Sequence, residues 1–194
     1  MVRLPRDGVR RGLVHSLIIP YGEARSLGYN PLREEKALTI ELDIPGRGRL
    51  RLQHLVLDVN GTLAMDGVLL DRISRPLTAL RDRLTIHLIS DDTYRRQEVI
   101  DKALNLRSTR LNPGDEAEQK ADYVGRLGAE RVVAIGQGAN DAGMLREAGL
   151  GIAILSPEGL ARQSLEAADL LVPDIYVALD LLENPDRLVS ALRR

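Results

Sequence analysis

The chain has 194 residues with 27 basic side chains against 28 acidic ones, and its net charge of −1 offers no general attraction to nucleic acid or an acidic membrane. It has no cysteine, which excludes disulfides, thiolate zinc sites and cysteine nucleophiles. Phenylalanine and tryptophan are also absent, so stacking platforms for single-stranded nucleic acid are not expected. The length suits one well-filled domain with a core of Leu, Ile, Val and Ala. No apolar run approaches the roughly 18 residues of a membrane span. The patch at 13–20 is interrupted by His15 and Ser16 and is too short for a signal peptide, so a cytoplasmic location without membrane attachment is expected.

Residues 1–37 lack sustained periodicity and are punctuated by Pro and Gly, which reads as an irregular or weakly ordered extension with a basic, solvated start. Residues 38–194 carry the folded domain. Leu38, Ile40, Leu42 and Ile44 alternate, a Pro45-Gly46-Arg47-Gly48 turn follows, and Leu50 and Leu52 lead into the apolar run 54–58, so a hairpin feeds a central strand. Ser74 is a candidate helix cap, with Pro76 in the first turn and Leu77, Leu80 and Leu84 on one face. A strand over 85–89 ends at Ser90. A helix from Thr93 is expected to bury Val99, Ile100, Ala103 and Leu104, and a third strand covers 106–111.

Asp115 and Glu118 have capping-box spacing and open a helix with Ala117, Ala121, Val124 and Leu127 inward, ending at Gly128. Residues 131–135 form a β-branched strand suited to burial on both faces. Gly136-Gln137-Gly138-Ala139-Asn140-Asp141 turns the chain into a helix bearing Met144, Leu145 and Ala148. Strands at 151–155 and 169–172 and helices at 175–182 and 187–192 complete the domain. Strands alternating with helices at this spacing predict an α/β, Rossmann-like, three-layer sandwich around a mostly parallel sheet.

In such a fold the strand tips meet at one edge, and polar residues there act as a set. The set is Asp58, Asn60, Gly61 and Thr62, then Ser90, then Lys120, then Gln137, Asn140 and Asp141. Asp58 by itself serves equally as a turn cap, a nucleophile or a metal ligand. Ser90 and Thr62 alone read as turn hydrogen-bonders, and Lys120, with Glu116 four residues before it, as an exposed helix position. Only Lys36, Lys102 and Lys120 are lysines, so a lysine at this place in the pattern carries information. Together the residues describe phosphoryl chemistry: a carboxylate, phosphate-orienting hydroxyls, and an ammonium to offset developing charge.

The motifs resemble those of the haloacid dehalogenase (HAD) superfamily, and within it the soluble members similar to the phosphorylation domain of P-type ATPases. DVNGT at 58–62 resembles the family's DxDxT, TIHLIS at 85–90 its apolar strand ending in Ser or Thr, Lys120 its motif lysine, and GQGAND at 136–141 its GDGxND. The resemblance implies that Asp58 is a nucleophile forming an aspartyl phosphate. It implies Mg²⁺ as cofactor, held by Asp58, the Asn60 carbonyl, Gln137 and Asp141, with Asp141 and Asn140 ordering its outer shell. Thr62, Ser90 and Gly61 would hold phosphate oxygens, and Lys120 would steady the nucleophile and the transferred group.

Two positions depart from the family pattern. Asn60 stands where phosphatases of the family have an acid that protonates the leaving group, a loss of about 10²–10⁴-fold in rate. Gln137 stands where most members place an acidic metal ligand, and an amide brings no charge. The expectation is a phosphohydrolase slow to dephosphorylate, with a non-catalytic or regulatory binding domain as the alternative. A dinucleotide-binding reading rests only on Gly136 and Gly138 and ranks below both. The stretches from Asp58 to Ser90 and from Ser90 to Lys120 leave no room for a cap domain or an inserted nucleotide-binding domain, so the site is expected to be capless. That suits a phosphorylated substrate of macromolecular or bulky kind, or a homo-oligomer in which another subunit supplies the cap. The three histidines have no metal-ligand spacing and read as structural.

Overall fold

The alternation at Ile40, Leu42 and Ile44 and the turn at 45–47 produce the expected hairpin, strands β1 (Ile40–Ile44) and β2 (Gly48–Leu52), paired antiparallel with Leu42 opposite Leu50. The computed structural model describes residues 38–92 and 94–194; the extension at 1–37, with His15, and Thr93 lie outside the described residues. β3 (His54–Asp58) follows directly. Two short strands, β4 (Ala64–Met65) and β5 (Val68–Leu69), form a flap before helix α1 (Ser74–Leu80). The remaining elements are β6 (Thr85–Ser90), α2 (Gln97–Leu104), β7 (Thr109–Arg110), α3 (Glu116–Leu127), β8 (Val132–Gly136), α4 (Ala142–Glu147), β9 (Leu150–Ile154), α5 (Arg162–Ala167), β10 (Leu170–Val172), α6 (Ile175–Glu183) and α7 (Asp186–Leu192).

Six strands form the main sheet in the order β10-β9-β8-β3-β6-β7, and every pairing in it is parallel. β3 is central because its apolar run tolerates burial on both sides. Leu55 and Leu57 face one core with Val133 and Ile135 of β8, joined by Leu77 and Leu80 of α1, Leu179 and Leu182 of α6, Leu188 of α7 and the inward side of the hairpin. Val56 faces the other core with Val132 and Ala134, covered by Val124 of α3 and Met144 and Leu145 of α4. This period-two division of neighbouring residues makes the three layers.

Several local expectations are corrected. Ser74 is the first residue of α1 and caps nothing; its carbonyl instead accepts from Thr78 Oγ1 at 2.8 Å. Asp115 takes a left-handed conformation (φ 52) and makes no capping bond, while Gln119 ties the Asn112–Gly114 turn to α3. α2 buries Gln97, Ile100 and Leu104, and Val99 is 70% exposed, so the inward stripe is narrower than expected at this sheet edge. The third strand is only two residues long, because Asp101 takes the Ser108 N–H and hydroxyl in place of a ladder partner. Gly128 ends α3 at φ 84 as expected.

The pairing of β3 with β6 also brings two histidines together. His54 Nδ1 lies 3.1 Å from His87 Nε2, and His87 Nδ1 lies 2.9 Å from the Tyr123 hydroxyl. Burial holds both imidazoles below the ordinary value, His87 at about 4, with each neighbouring positive charge adding to the effect. Among the described residues no group of three His, Cys, Asp or Glu could hold a metal ion, and no helix is long and apolar enough to cross a membrane.

Candidate active site

β3 ends in Asp58, and the following residues close into a tight loop: the N–H groups of Thr62, Leu63 and Ala64 converge on the Val59 carbonyl at 3.3, 2.9 and 2.9 Å. Gly61 sits at φ 77, and its N–H donates to the Ala64 carbonyl at 2.8 Å. That bond engages the Gly61 N–H within the loop. The residue is needed instead for its bare Cα: a Cβ there would run into the Gln137 amide nitrogen and stand 2.7 Å from Glu158 Oε2.

Lys120 reaches this loop from the first half of α3. It is 1% exposed, and its Nζ donates to Asp58 Oδ1 at 2.7 Å and to Asp141 Oδ1 at 2.6 Å. Glu116, one helical turn before Lys120, accepts from Asn140 Nδ2 at 3.1 Å. Asp141 has its other oxygen engaged by the N–H groups of Gln137 and Gly138, both at 2.8 Å. It therefore anchors Lys120 and the loop after β8, and offers no free carboxylate edge.

Burial pushes the Asp58 carboxyl up to about 7, with Asp141 adding to the rise and Lys120 opposing it. Burial would lower the Lys120 ammonium, but Asp58 and Asp141 outweigh it and raise it above the ordinary lysine value. Two carboxylates facing one ammonium leave a net negative site, which a cation at Asp58 would relieve.

Two hydroxyls flank the carboxylate on its loop and the next strand tip. Thr62 Oγ1 is buried and has no hydrogen-bond partner among the described residues, an unmet demand in a position where a ligand oxygen would satisfy it. Ser90, fully buried at the tip of β6, accepts from the Asp92 N–H at 3.0 Å and keeps its proton to donate.

Sequence reasoning passed over two carboxylates at the same edge. Asp91, directly after Ser90, accepts from Asn60 Nδ2 at 2.7 Å, and its charge adds to the rise at Asp58. Glu158 lies in the turn after β9, whose strand neighbours β8, so the same strand-tip logic would have included both. For a divalent cation the donors on offer would be the second oxygen of Asp58, the Asn60 carbonyl and the Gln137 side chain. Hard oxygens with a single carboxylate edge fit Mg²⁺, which keeps several waters and takes one or two carboxylates plus phosphate oxygens.

No family model matches the chain. Its architecture is the HAD-like fold. A 3-deoxy-D-manno-octulosonate 8-phosphate phosphatase from Moraxella catarrhalis, solved with magnesium ion, phosphate ion and KDO, matches with a TM-score of 0.54 and 18% identity over 73% of this chain and 94% of that one. The corresponding phosphatase from Yersinia pestis matches with a TM-score of 0.57 and 15% identity over 78% and 96%. The cobalt-bound deoxy-D-mannose-octulosonate 8-phosphate phosphatase from Haemophilus influenzae matches with a TM-score of 0.55 and 17% identity over 73% and 89%. In sequence, the uncharacterized protein MJ0073 of Methanocaldococcus jannaschii is 41% identical over 64 residues, 33% of this chain and 69% of that protein. The chain belongs to the family of that archaeal protein.

Proposed function

We propose that this protein is a Mg²⁺-dependent HAD-type phosphohydrolase that takes a phosphoryl group onto Asp58. The observation that carries the reading is the buried Asp58–Lys120–Asp141 arrangement at the central strand tip, beside the unpartnered Thr62 hydroxyl. The phosphatases that share the fold, one of them solved with magnesium and phosphate, support it.

The Asp58 carboxylate attacks phosphorus, the bond to the leaving-group oxygen breaks, and an aspartyl phosphate remains for water to hydrolyse. Thr62 and Ser90 donate to phosphate oxygens, and Lys120, held by Asp141, offsets negative charge on the transferred group. Asn140 ties the loop after β8 to the start of α3 through Glu116 and so supports the position of Lys120. Mg²⁺ held by Asp58, the Asn60 carbonyl and Gln137 would neutralise charge between nucleophile and phosphate.

Asn60 cannot donate or take the leaving-group proton, so the phosphoenzyme is slow to turn over, in keeping with the likeness to P-type ATPase phosphorylation domains. Only the β4–β5 flap and α1 lie between Asp58 and β6, so no cap is inserted there among the described residues, which suits a bulky phosphorylated substrate or a cap from a second copy. The locking of Asn60 by Asp91 favours the second reading, a binding domain that holds a phosphorylated ligand without turnover.

A panel of phosphate monoesters, tested with and without Mg²⁺ beside Asp58→Asn, separates the two. Hydrolysis that needs both Mg²⁺ and Asp58 supports the enzyme. Saturable binding of monoesters with no hydrolysis above the variant supports the binding domain.

A further inference from the structure

Gln137, 8% exposed, brings no charge to the sheet edge where the phosphohydrolase reading places a cation. A Cβ on Gly61 would run into the Gln137 amide nitrogen and stand 2.7 Å from Glu158 Oε2, so both side chains come to the nucleophile loop directly after Asn60.

The approach of Glu158 is built into the backbone. The turn holding it is closed by the Gly159 N–H on the Ser156 carbonyl at 2.8 Å, and Ser156 Oγ accepts from the Glu158 N–H at 3.1 Å. Two further bonds fasten the segment to the loop after β8: Ala161 N–H donates to the Gln137 carbonyl at 2.9 Å, and Ser164 Oγ donates to the Gly138 carbonyl at 2.5 Å. These bonds tie the turn carrying Glu158 to the loop carrying Gln137.

We infer that Glu158 supplies the anionic oxygen that Gln137 cannot, so that the Asn60 carbonyl, the Gln137 amide and the Glu158 carboxylate jointly face the divalent cation at Asp58. This restores a second carboxylate to the set, the number Mg²⁺ sites commonly carry. It also explains why position 61 is bare. Any side chain there would displace both donors. The inference rests on the proposed function, since it concerns the cation of that site.

The test is calorimetric titration of the full-length protein with Mg²⁺ alone, comparing wild type, Glu158→Gln, Gln137→Asp and the double variant, with circular dichroism to confirm folding. The inference predicts that Glu158→Gln weakens Mg²⁺ binding by about tenfold or more. It further predicts that Gln137→Asp restores affinity in the double variant, because the loop after β8 then carries the charge itself. Unchanged affinity in Glu158→Gln, with wild type binding Mg²⁺, overturns this inference and leaves the proposed function standing. Failure of the wild type to bind Mg²⁺ overturns both.

Discussion

Lys120 makes buried ion pairs with Asp58 and Asp141, and removing its ammonium would leave two carboxylates facing each other away from water. Breaking a buried pair from one side costs about 3–5 kcal/mol, so Lys120→Met is expected to lose stability of that order near neutral pH. The Asp58 carboxyl, already raised by burial, then rises further because Lys120 no longer opposes it, and a raised carboxyl stabilises below its unfolded value and loses that contribution as pH rises through the folded one. The deficit should therefore shrink as pH falls through neutrality toward the ordinary carboxylate range, where Asp58 is protonated in the variant; urea unfolding across that range checks it. Thr62→Val should behave oppositely: the unpartnered buried hydroxyl is lost, stability holds or rises by about 1 kcal/mol, and affinity for inorganic phosphate falls. Asn60 and Asp91 form an amide–carboxylate pair whose members can be exchanged. Asn60→Asp with Asp91→Asn keeps the hydrogen bond and places an acid beside the leaving group, so single-turnover dephosphorylation should quicken by about 10²-fold or more.

α3 carries Lys120 to the site and packs closely on α4. A Cβ on Gly143 of α4 would stand 2.6 Å from the Ala117 carbonyl and 3.2 Å from Ala121 Cβ, the helix turns on either side of Lys120. Gly143→Ala should cost about 1–3 kcal/mol and, by moving α3, reduce the rate of phosphoryl transfer more than a surface substitution of equal stability cost; thermal unfolding beside single-turnover kinetics separates the two. Elements of this kind were largely legible in the sequence, because β3, β6 and β8 are apolar runs with polar tips and the hairpin alternates strictly. The helix ends were less so. Asp115 and Ser74 have the composition of caps, but Asp115 is turned left-handed with Gln119 serving the turn, and Ser74 falls one residue inside α1. The cap of α6, Asp174, accepts from the Val177 N–H at 2.8 Å and went unnoticed among the apolar residues around it.

At the scale of the whole molecule, the proposed site and the histidine pair lie toward opposite ends of the sheet. Asp58, Ser90 and the loop after β8 gather at the carboxyl tips, while His54 opens β3 and pairs with His87. The chain's order alone could not show the histidine pair, which depends on which strands become neighbours, whereas Asp91 and Glu158 follow strand tips and were open to the reasoning that found Ser90. His87 is neutral in the fold and held at about 4 against an ordinary 6.5. A depressed pKa of this kind contributes stability above the unfolded value that is lost as pH falls through the folded one. Discounting for its partial exposure, wild type should lose about 1–2 kcal/mol between pH 6.5 and 4, and His87→Asn should flatten that part of the stability profile. The central claim is that phosphate becomes covalently attached to Asp58. We would incubate the protein with Mg²⁺ and a reactive phosphate monoester, quench in acid, reduce with borohydride and locate the modified residue by peptide mass spectrometry. Modification at Asp58, absent in Asp58→Asn and without Mg²⁺, is the predicted result. Hydrolysis of the monoester with no modification at Asp58 in rapidly quenched samples would contradict it.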